Sequence, residues 1–263
     1  MSKKIVVFHG SPRRKETYAF VQQFEKALAA LGPVEVEHVL LKDANIQFCR
    51  GCFACLSRGE EFCPLKDDIP ALVAKMHAAD GVVFATPNYS LQVTAIMKNF
   101  LDRCAFIFHR PALFHKVSIA LVTQGAIGGE KIVSYLDEVC GYWGFIVVKG
   151  ACVTTIRPLT QAEEKKVAAA AVAAVHRFHA ALHGDLAPQP SLFRLAIFRV
   201  VRAMHRFWQE EDSRDYRHFR DNGWFESAYY YPVKLCPGKR LIGALVDLFG
   251  TRMARSRKRE LEK

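Results

Sequence analysis

Runs rich in Val, Ile and Phe recur at residues 4–9, 34–41, 81–86, 117–123 and 145–153, and helical patterns lie between them at 17–31, 68–79, 93–107 and 129–142. Near-continuous apolar strands alternating with helices call for a parallel sheet covered on both faces, since neither face can then meet water. The pattern predicts an α/β fold: a doubly wound five-stranded parallel sheet in the order 2-1-3-4-5. In such a sheet ligands sit beyond the carboxyl ends of the strands, where the winding direction reverses. An alanine-rich stretch over 160–183 reads as the closing helix and ends at Gly184.

The loops expected at that edge follow strands one, three and four: GSPRR at 10–14, TPNYSLQ at 86–92 and TQGAIGG at 123–129. In the first, Gly10 permits close backbone approach, Ser11 and Arg13 supply donors, and a helix entering near Thr17 aims its positive end at the same point. A phosphate suits that composition. The spacing is neither GxxxxGK[ST] nor GxGxxG, so a single terminal phosphate fits better than a triphosphate or a dinucleotide. In the second loop Pro87 fixes a bend, while Asn88, Tyr89 and Ser90 offer an amide, an aromatic face and hydroxyls, as a planar heterocycle would use. The third offers Thr123 and Gln124 with Gly125 and Gly128. Any one loop alone also reads as an ordinary turn, with Ser11 or Thr17 as a helix cap. Three that share an edge argue for a ligand.

These segments resemble the flavodoxin-like NAD(P)H-dependent FMN reductase family, to which iron–sulfur flavoproteins are related. The resemblance covers about the first 157 residues and rests on GSPR, on CxxCxxC leading to Asp67-Asp68, on TPNYSLQVTAIMKNFLDR and on TQGAIGGE; Pro87, Tyr89, Lys98, Asp102 and Arg103 match TPxY…K…LDR. It implies a flavodoxin-like fold in which Ser11, Arg13 and Thr17 hold the FMN phosphate. Pro87, Asn88, Tyr89 and Ser90 then line the ribityl chain and ring, and Thr123, Gln124, Gly125 and Gly128 flank the isoalloxazine. NADH or NADPH is the implied co-substrate. Many relatives carry Gly-Asn just before the position of Thr17, where this chain has Lys15 and Glu16. A carboxylate there needs a countercharge, for which Lys15 and Arg14 are the candidates by position.

Cys49, Cys52, Cys55 and Cys63 form C-x2-C-x2-C-x7-C on a segment expected to be a loop. Three thiolates at intervals of three with a fourth within reach suit a [4Fe-4S] cluster. Zinc and metal-free thiols remain as alternatives. Cys104, Cys140, Cys152 and Cys236 are isolated, and packing accounts for them. Asp102 and Arg103, adjacent in sequence, are expected to form a local ion pair.

The 263 residues are 51% hydrophobic, enough for a substantial core, and the formal charge is +11. The opening apolar stretch is short for a secretory signal, and no apolar run reaches a membrane-spanning length, so a cytoplasmic location is expected. The sequence divides into an FMN-binding domain at 1–184 and a basic, aromatic, α-helical C-terminal extension at 185–263. Within 192–208, helical periodicity puts Arg194, Arg199, Arg202, His205 and Arg206 on one side. Ala196, Ile197, Val200, Val201, Met204, Phe207 and Trp208 fall on the other, and Leu195 and Phe198 intrude on the basic side. That apolar side is expected to pack on the sheet domain or a second subunit, with peripheral membrane contact as the alternative. Nucleic acid is the least favoured partner. A further helix is expected from about Lys239 to Met253, and Tyr229, Tyr230 and Tyr231 are candidates to cap a flavin.

Taken together, the sequence reads as an FMN-dependent NAD(P)H oxidoreductase that passes electrons by a ping-pong flavin mechanism to a small acceptor: a quinone, nitro compound, azo compound or free flavin. No protein side chain is assigned a catalytic role, because the flavin carries the chemistry. A homo-oligomer, dimer or tetramer, is expected. The alternatives are an iron–sulfur flavoprotein electron carrier and a non-catalytic flavodoxin-like scaffold docking through its tail.

Overall fold

The computed structural model describes residues 2–207 and 213–261. Its elements run β1 (Lys3–His9), α1 (Glu16–Ala29), β2 (Val34–Leu40), α2 (Ala54–Ser57), α3 (Ile69–Ala78), β3 (Gly81–Pro87), α4 (Ala95–Arg103), α5 (Phe106–His109), β4 (Val117–Gln124), α6 (Gly129–Trp143), β5 (Ile146–Thr154), α7 (Gln161–Leu182), α8 (Leu192–Phe207), α9 (Arg214–Asp221) and α10 (Pro237–Leu261). They fall into two compact units, one made of Met1–Cys52 and Leu65–Leu186, the other of Phe53–Pro64 and Ala187–Lys263.

In the first unit the five strands form an all-parallel sheet in the order β2-β1-β3-β4-β5. Strand periodicity divides the core into two layers. Val6, Phe8, Val82 and Phe84 point to one face, where Phe100 and Trp143 pack on them. Ile5, Val7, Val83 and Ala85 point to the other, against Phe20, Phe24 and Phe178. The central strands β1, β3 and β4 are buried almost throughout, whereas β2 alternates half-buried valines with exposed Glu35 and Glu37, as an edge strand must. A capping box between Thr160 and Glu163 starts α7.

The helix expected at 93–107 is two helices, α4 and α5. Helical geometry breaks at Cys104 (φ −95°, ψ 15°), whose amide bonds back to the carbonyls of Phe100 and Leu101. Thr94 starts α4 as its cap, accepting from the Met97 amide at 3.2 Å.

In the second unit α8 and α10 run parallel, and their contact is made of small residues. A Cβ on Gly250 would lie 3.2 Å from the Ala203 Cβ. Phe198 stands edge-on to Tyr229 and Tyr230, and the Trp224 indole donates to the Tyr230 carbonyl at 3.0 Å. Tyr229 is buried within this unit, which removes it as a cap exposed to a ligand. The 53–64 segment is tied here by an ion pair from Arg214 to Glu60 at 3.7 Å.

The face of α8 that packs is not the one its periodicity suggests. Leu195, Phe198, Ala203 and His205 are buried, whereas Ala196, Ile197, Val200, Val201, Met204 and Phe207 are each left half-exposed. Asp247 of α10 explains the inversion: Arg199 and Arg202 both bond its carboxylate, which lets the basic side of α8 be covered. Trp208 lies outside the described residues.

Candidate functional site

The carboxyl ends of β1, β3 and β4 bring the three predicted loops together. Gly10 follows β1 where a Cβ would lie 2.8 Å from the Met97 Cβ, so only glycine lets the chain pass α4 there. The Thr94 hydroxyl donates to the Gly10 carbonyl at 2.6 Å and fixes that crossing. Ser11, almost fully buried, closes a tight turn: its hydroxyl donates to the Arg13 carbonyl at 2.7 Å and accepts from the Arg13 amide at 3.2 Å. Helix α1 then begins at Glu16, and no side chain caps its first turn. Its leading amides therefore remain available to an anion.

Thr17, in that first turn and 2% exposed, shares a 2.7 Å hydrogen bond with the hydroxyl of Thr123 at the end of β4. The Thr123 carbonyl accepts from the Asn88 amide at 2.7 Å, and the Asn88 side-chain nitrogen donates to the Ile127 carbonyl at 2.7 Å. Pro87 sits directly opposite Thr123 in the β3–β4 register. Thr17, Thr123, Asn88 and Ile127 thus form a hydrogen-bonded chain across all three loops.

The loops after β3 and β4 are shaped by unusual backbone. Ser90 (φ 51°) and Leu91 (φ 64°) both adopt left-handed conformations between Tyr89 and Gln92, which exchange backbone hydrogen bonds at 3.0 Å. Non-glycine residues in that region cost of order 1–3 kcal/mol each and cluster where a ligand is handled. Gln124 holds the other loop, accepting from the Gly129 amide at 2.7 Å and donating to the Thr154 hydroxyl at 3.2 Å. Gly128 has φ 90°, and a Cβ there would lie 2.5 Å from a Leu91 methyl. Gly125 faces open space. Tyr89, Leu91 and Ile127 leave an exposed apolar rim.

The fit to FMN can be judged on this chain's own atoms. The Asn88 side-chain oxygen is buried without a hydrogen-bond partner, an acceptor waiting for a donor. The uncapped start of α1 with the Ser11 and Thr17 hydroxyls has the chemistry of a phosphate cradle, and the apolar rim suits a flat ring. Arg13 is exposed beside that cradle. The countercharge to Glu16 is Arg157, at 3.9 Å, rather than Lys15 or Arg14.

His9, 1% exposed, bonds through Nε2 to His38 Nδ1 at 2.9 Å, and His38 Nε2 reaches Glu25 at 3.0 Å. Burial lowers the His9 pKa to about 4, helped by His38 and Arg14.

The expected Asp102–Arg103 pair does not form. Asp102 instead pairs with Lys98 one turn earlier, and Arg103 turns inward to a bidentate pair with Asp67, both side chains almost fully buried. Arg103 also donates to the Gln47 carbonyl at 3.0 Å, and Asp67 accepts from the Gln47 amide at 3.0 Å. The LDR and Asp67-Asp68 motifs are thus two halves of one clamp at the base of the cysteine segment. Thr94 was missed in the sequence, although a threonine just before an apolar helical run is a cap signal.

Cys49 and Cys52 are exposed, Cys55 and Cys63 half-buried. Among the described residues no three His, Cys, Asp or Glu side chains are grouped as a metal site. Cys49 and Cys52 fall in the first unit, Cys55 and Cys63 in the second. Cys104 and Cys140 are buried, and burial pushes the Cys104 thiol far up. Packing is their role, as the sequence suggests.

A parallel 2-1-3-4-5 sheet covered by helices on both faces defines the flavodoxin-like fold class. Residues 3–157 match the model of the NADPH-dependent FMN reductase family, and the chain belongs to that family. An iron-sulfur flavoprotein of Archaeoglobus fulgidus is 35% identical over 148 residues, 55% of this chain and 66% of that protein. One of Methanosarcina thermophila is 30% identical over 148 residues, 55% of this chain and 76% of that protein. The alignment to the first thus spans just under two thirds of its length. An NAD(P)H:quinone oxidoreductase from Methanothermobacter marburgensis superposes with a TM-score of 0.54 at 15% identity, over 68% of this chain and 98% of that one. At that identity it shows the fold alone.

Proposed function

We propose that the chain is an FMN-dependent NAD(P)H oxidoreductase that works by a ping-pong scheme on a small acceptor, a quinone, nitro or azo compound or free flavin. The observation that carries this reading is the hydrogen-bonded chain from Thr17 through Thr123 and Asn88 to Ile127, which joins the three loops and leaves the Asn88 oxygen unpartnered.

In this reading Ser11, Arg13, Thr17 and the first amides of α1 hold the phosphate, where hydroxyls, a guanidinium and the helix dipole all favour negative charge. Asn88 offers its free oxygen to a ring N–H. Pro87, Tyr89 and Ser90 line one side, and Thr123, Gln124, Gly125 and Gly128 the other. Bound there, FMN supplies the hydride and electron chemistry. Tyr89, Leu91 and Ile127 form the open wall past which a nicotinamide and then an acceptor enter in turn. No side chain has to move a proton, and buried His9 stays neutral above about pH 4. Residues 1–184 make up the FMN-binding domain in this proposal, acting in the cytoplasm as a dimer or tetramer, with 185–263 as an appended extension.

An iron–sulfur flavoprotein is the second reading. The names of the curated relatives and the C-x2-C-x2-C-x7-C spacing favour it. One anaerobic experiment on protein reconstituted with FMN separates the readings. Two resolved flavin bands that bleach on adding NADH or NADPH, with no iron, are the expected result. Broad extra absorbance with stoichiometric iron would establish the second reading. Colourless protein after reconstitution would overturn both.

A further inference from the structure

Helix α10 is apolar on the side it turns to solvent. Gly243, Gly250 and Ala254 are buried, forming the small-residue face that meets α8. Leu241, Leu245, Leu248 and Phe249 on the far side are each between 58% and 72% exposed, with Ile242 and Met253 partly exposed beside them. At 100° per residue these six fall within an arc of about 140°, the width of a docking stripe. A soluble helix normally presents charge there. Leu192 and Phe193, at the start of α8, are also exposed.

The charge around the stripe identifies its partner. Helix α10 carries seven Lys or Arg against two acidic residues. Both acids are already paired within the chain, Asp247 with Arg199 and Arg202 and Glu260 with Arg257. What faces outward is therefore an apolar stripe with only positive charge left to offer. A second copy laid on the same face would bring arginine to arginine. An anionic lipid surface would instead accept both the leucines and the guanidinium groups. From Leu241 to Met253 the stripe is about 18 Å long at 1.5 Å per residue, too short to cross a bilayer. No helix among the described residues is long and apolar enough to span a membrane.

We propose that α10 lies in the plane of an anionic membrane surface, with Leu241, Leu245, Leu248 and Phe249 inserted below the headgroups and the arginines at phosphate level. This gives lipid contact to 241–253 rather than to 192–208, where the sequence offers it as an alternative to packing.

The test uses the full chain with vesicles of phosphatidylcholine alone or mixed with phosphatidylglycerol. The full chain should sediment with the mixed vesicles, bind neutral ones at least tenfold more weakly, and lose much of its binding in high salt. L245E/L248E should bind at least tenfold more weakly with an unchanged far-UV circular dichroism spectrum and unchanged FMN content, since both positions are exposed. Tryptophan emission from F249W, read against the parent spectrum, should shift to the blue only with mixed vesicles. Equal binding to both vesicle types, or undiminished binding by L245E/L248E, would overturn the proposal. So would an absence of vesicle binding combined with a change in subunit number in L245E/L248E, which would give the stripe to a second copy.

Discussion

Thr17 is where the proposed cofactor site meets the core, because its hydroxyl is buried and joined to Thr123 at 2.7 Å. Thr17→Val keeps the shape and removes the hydroxyl, leaving Thr123 with an unpartnered group. A hydrogen bond to a charged group is worth about 1.5–3 kcal/mol, so FMN should bind roughly tenfold to a hundredfold more weakly, as read by quenching of flavin fluorescence on titration. Affinity within a factor of two of the parent would take Thr17 out of the site. His9 gives a second test, through pH. Its folded pKa, about 4, lies below the ordinary imidazole value of 6.5 because burial disfavours the charged ring. The unfolded chain therefore binds the proton first, and stability falls as pH drops from about 6.5 to 4, by about 3 kcal/mol in all, then levels off. Asp137 acts in the opposite sense: burial raises its pKa to about 6, so its contribution is lost as pH rises through that range. In His9→Gln the first slope should flatten, leaving the smaller pull of His77 in the same sense against Asp137 in the other, so that urea midpoints fall much less from pH 6.5 to pH 4 than in the parent.

The Asp67–Arg103 clamp joins the start of α3 to the end of α4 and holds both ends of Gln47 by its backbone. Removing one partner leaves a buried charge alone, so Arg103→Met should cost about 3–5 kcal/mol in urea unfolding, whereas Asp67→Leu/Arg103→Met together should recover most of it. A double variant no better than the single one would mean that packing, not charge, sets the cost. This clamp also shows where sequence reading stops. The strands, their order and the three loops could all be read, because each is written in local periodicity and turn chemistry. Arg103, by contrast, had an acid next to it in sequence, and nothing local reveals that the helix turns it inward to a partner 36 positions away. The same limit explains α8. Its periodicity ranks the faces correctly by composition, but which face is buried depends on Asp247, a residue of another element. Thr17, Asn88 and Thr123 meet because topology alone puts those loops on one edge.

The family match ends at residue 157, and the second unit takes in both the C-terminal helices and the 53–64 segment that carries Cys55 and Cys63. That segment groups with the C-terminal helices rather than with the sheet. Helix α2 is four residues long with no buried side chain, Phe53 and Gly59 adopt left-handed backbone, and its ion pair goes to Arg214 on α9. A chain ending at Leu186 should therefore keep its FMN, because every residue assigned to the cofactor lies in the other unit, yet the 53–64 segment should lose its fixed path. Trypsin offers a direct readout through Arg58, the residue that follows α2. In the truncated chain Arg58 should become a leading cleavage site, cut at least tenfold faster than in the full chain, with flavin absorbance unchanged. Equal cleavage rates would mean that the segment is held by something other than residues 187–263, and loss of flavin would mean that the sheet unit depends on its extension to stay folded.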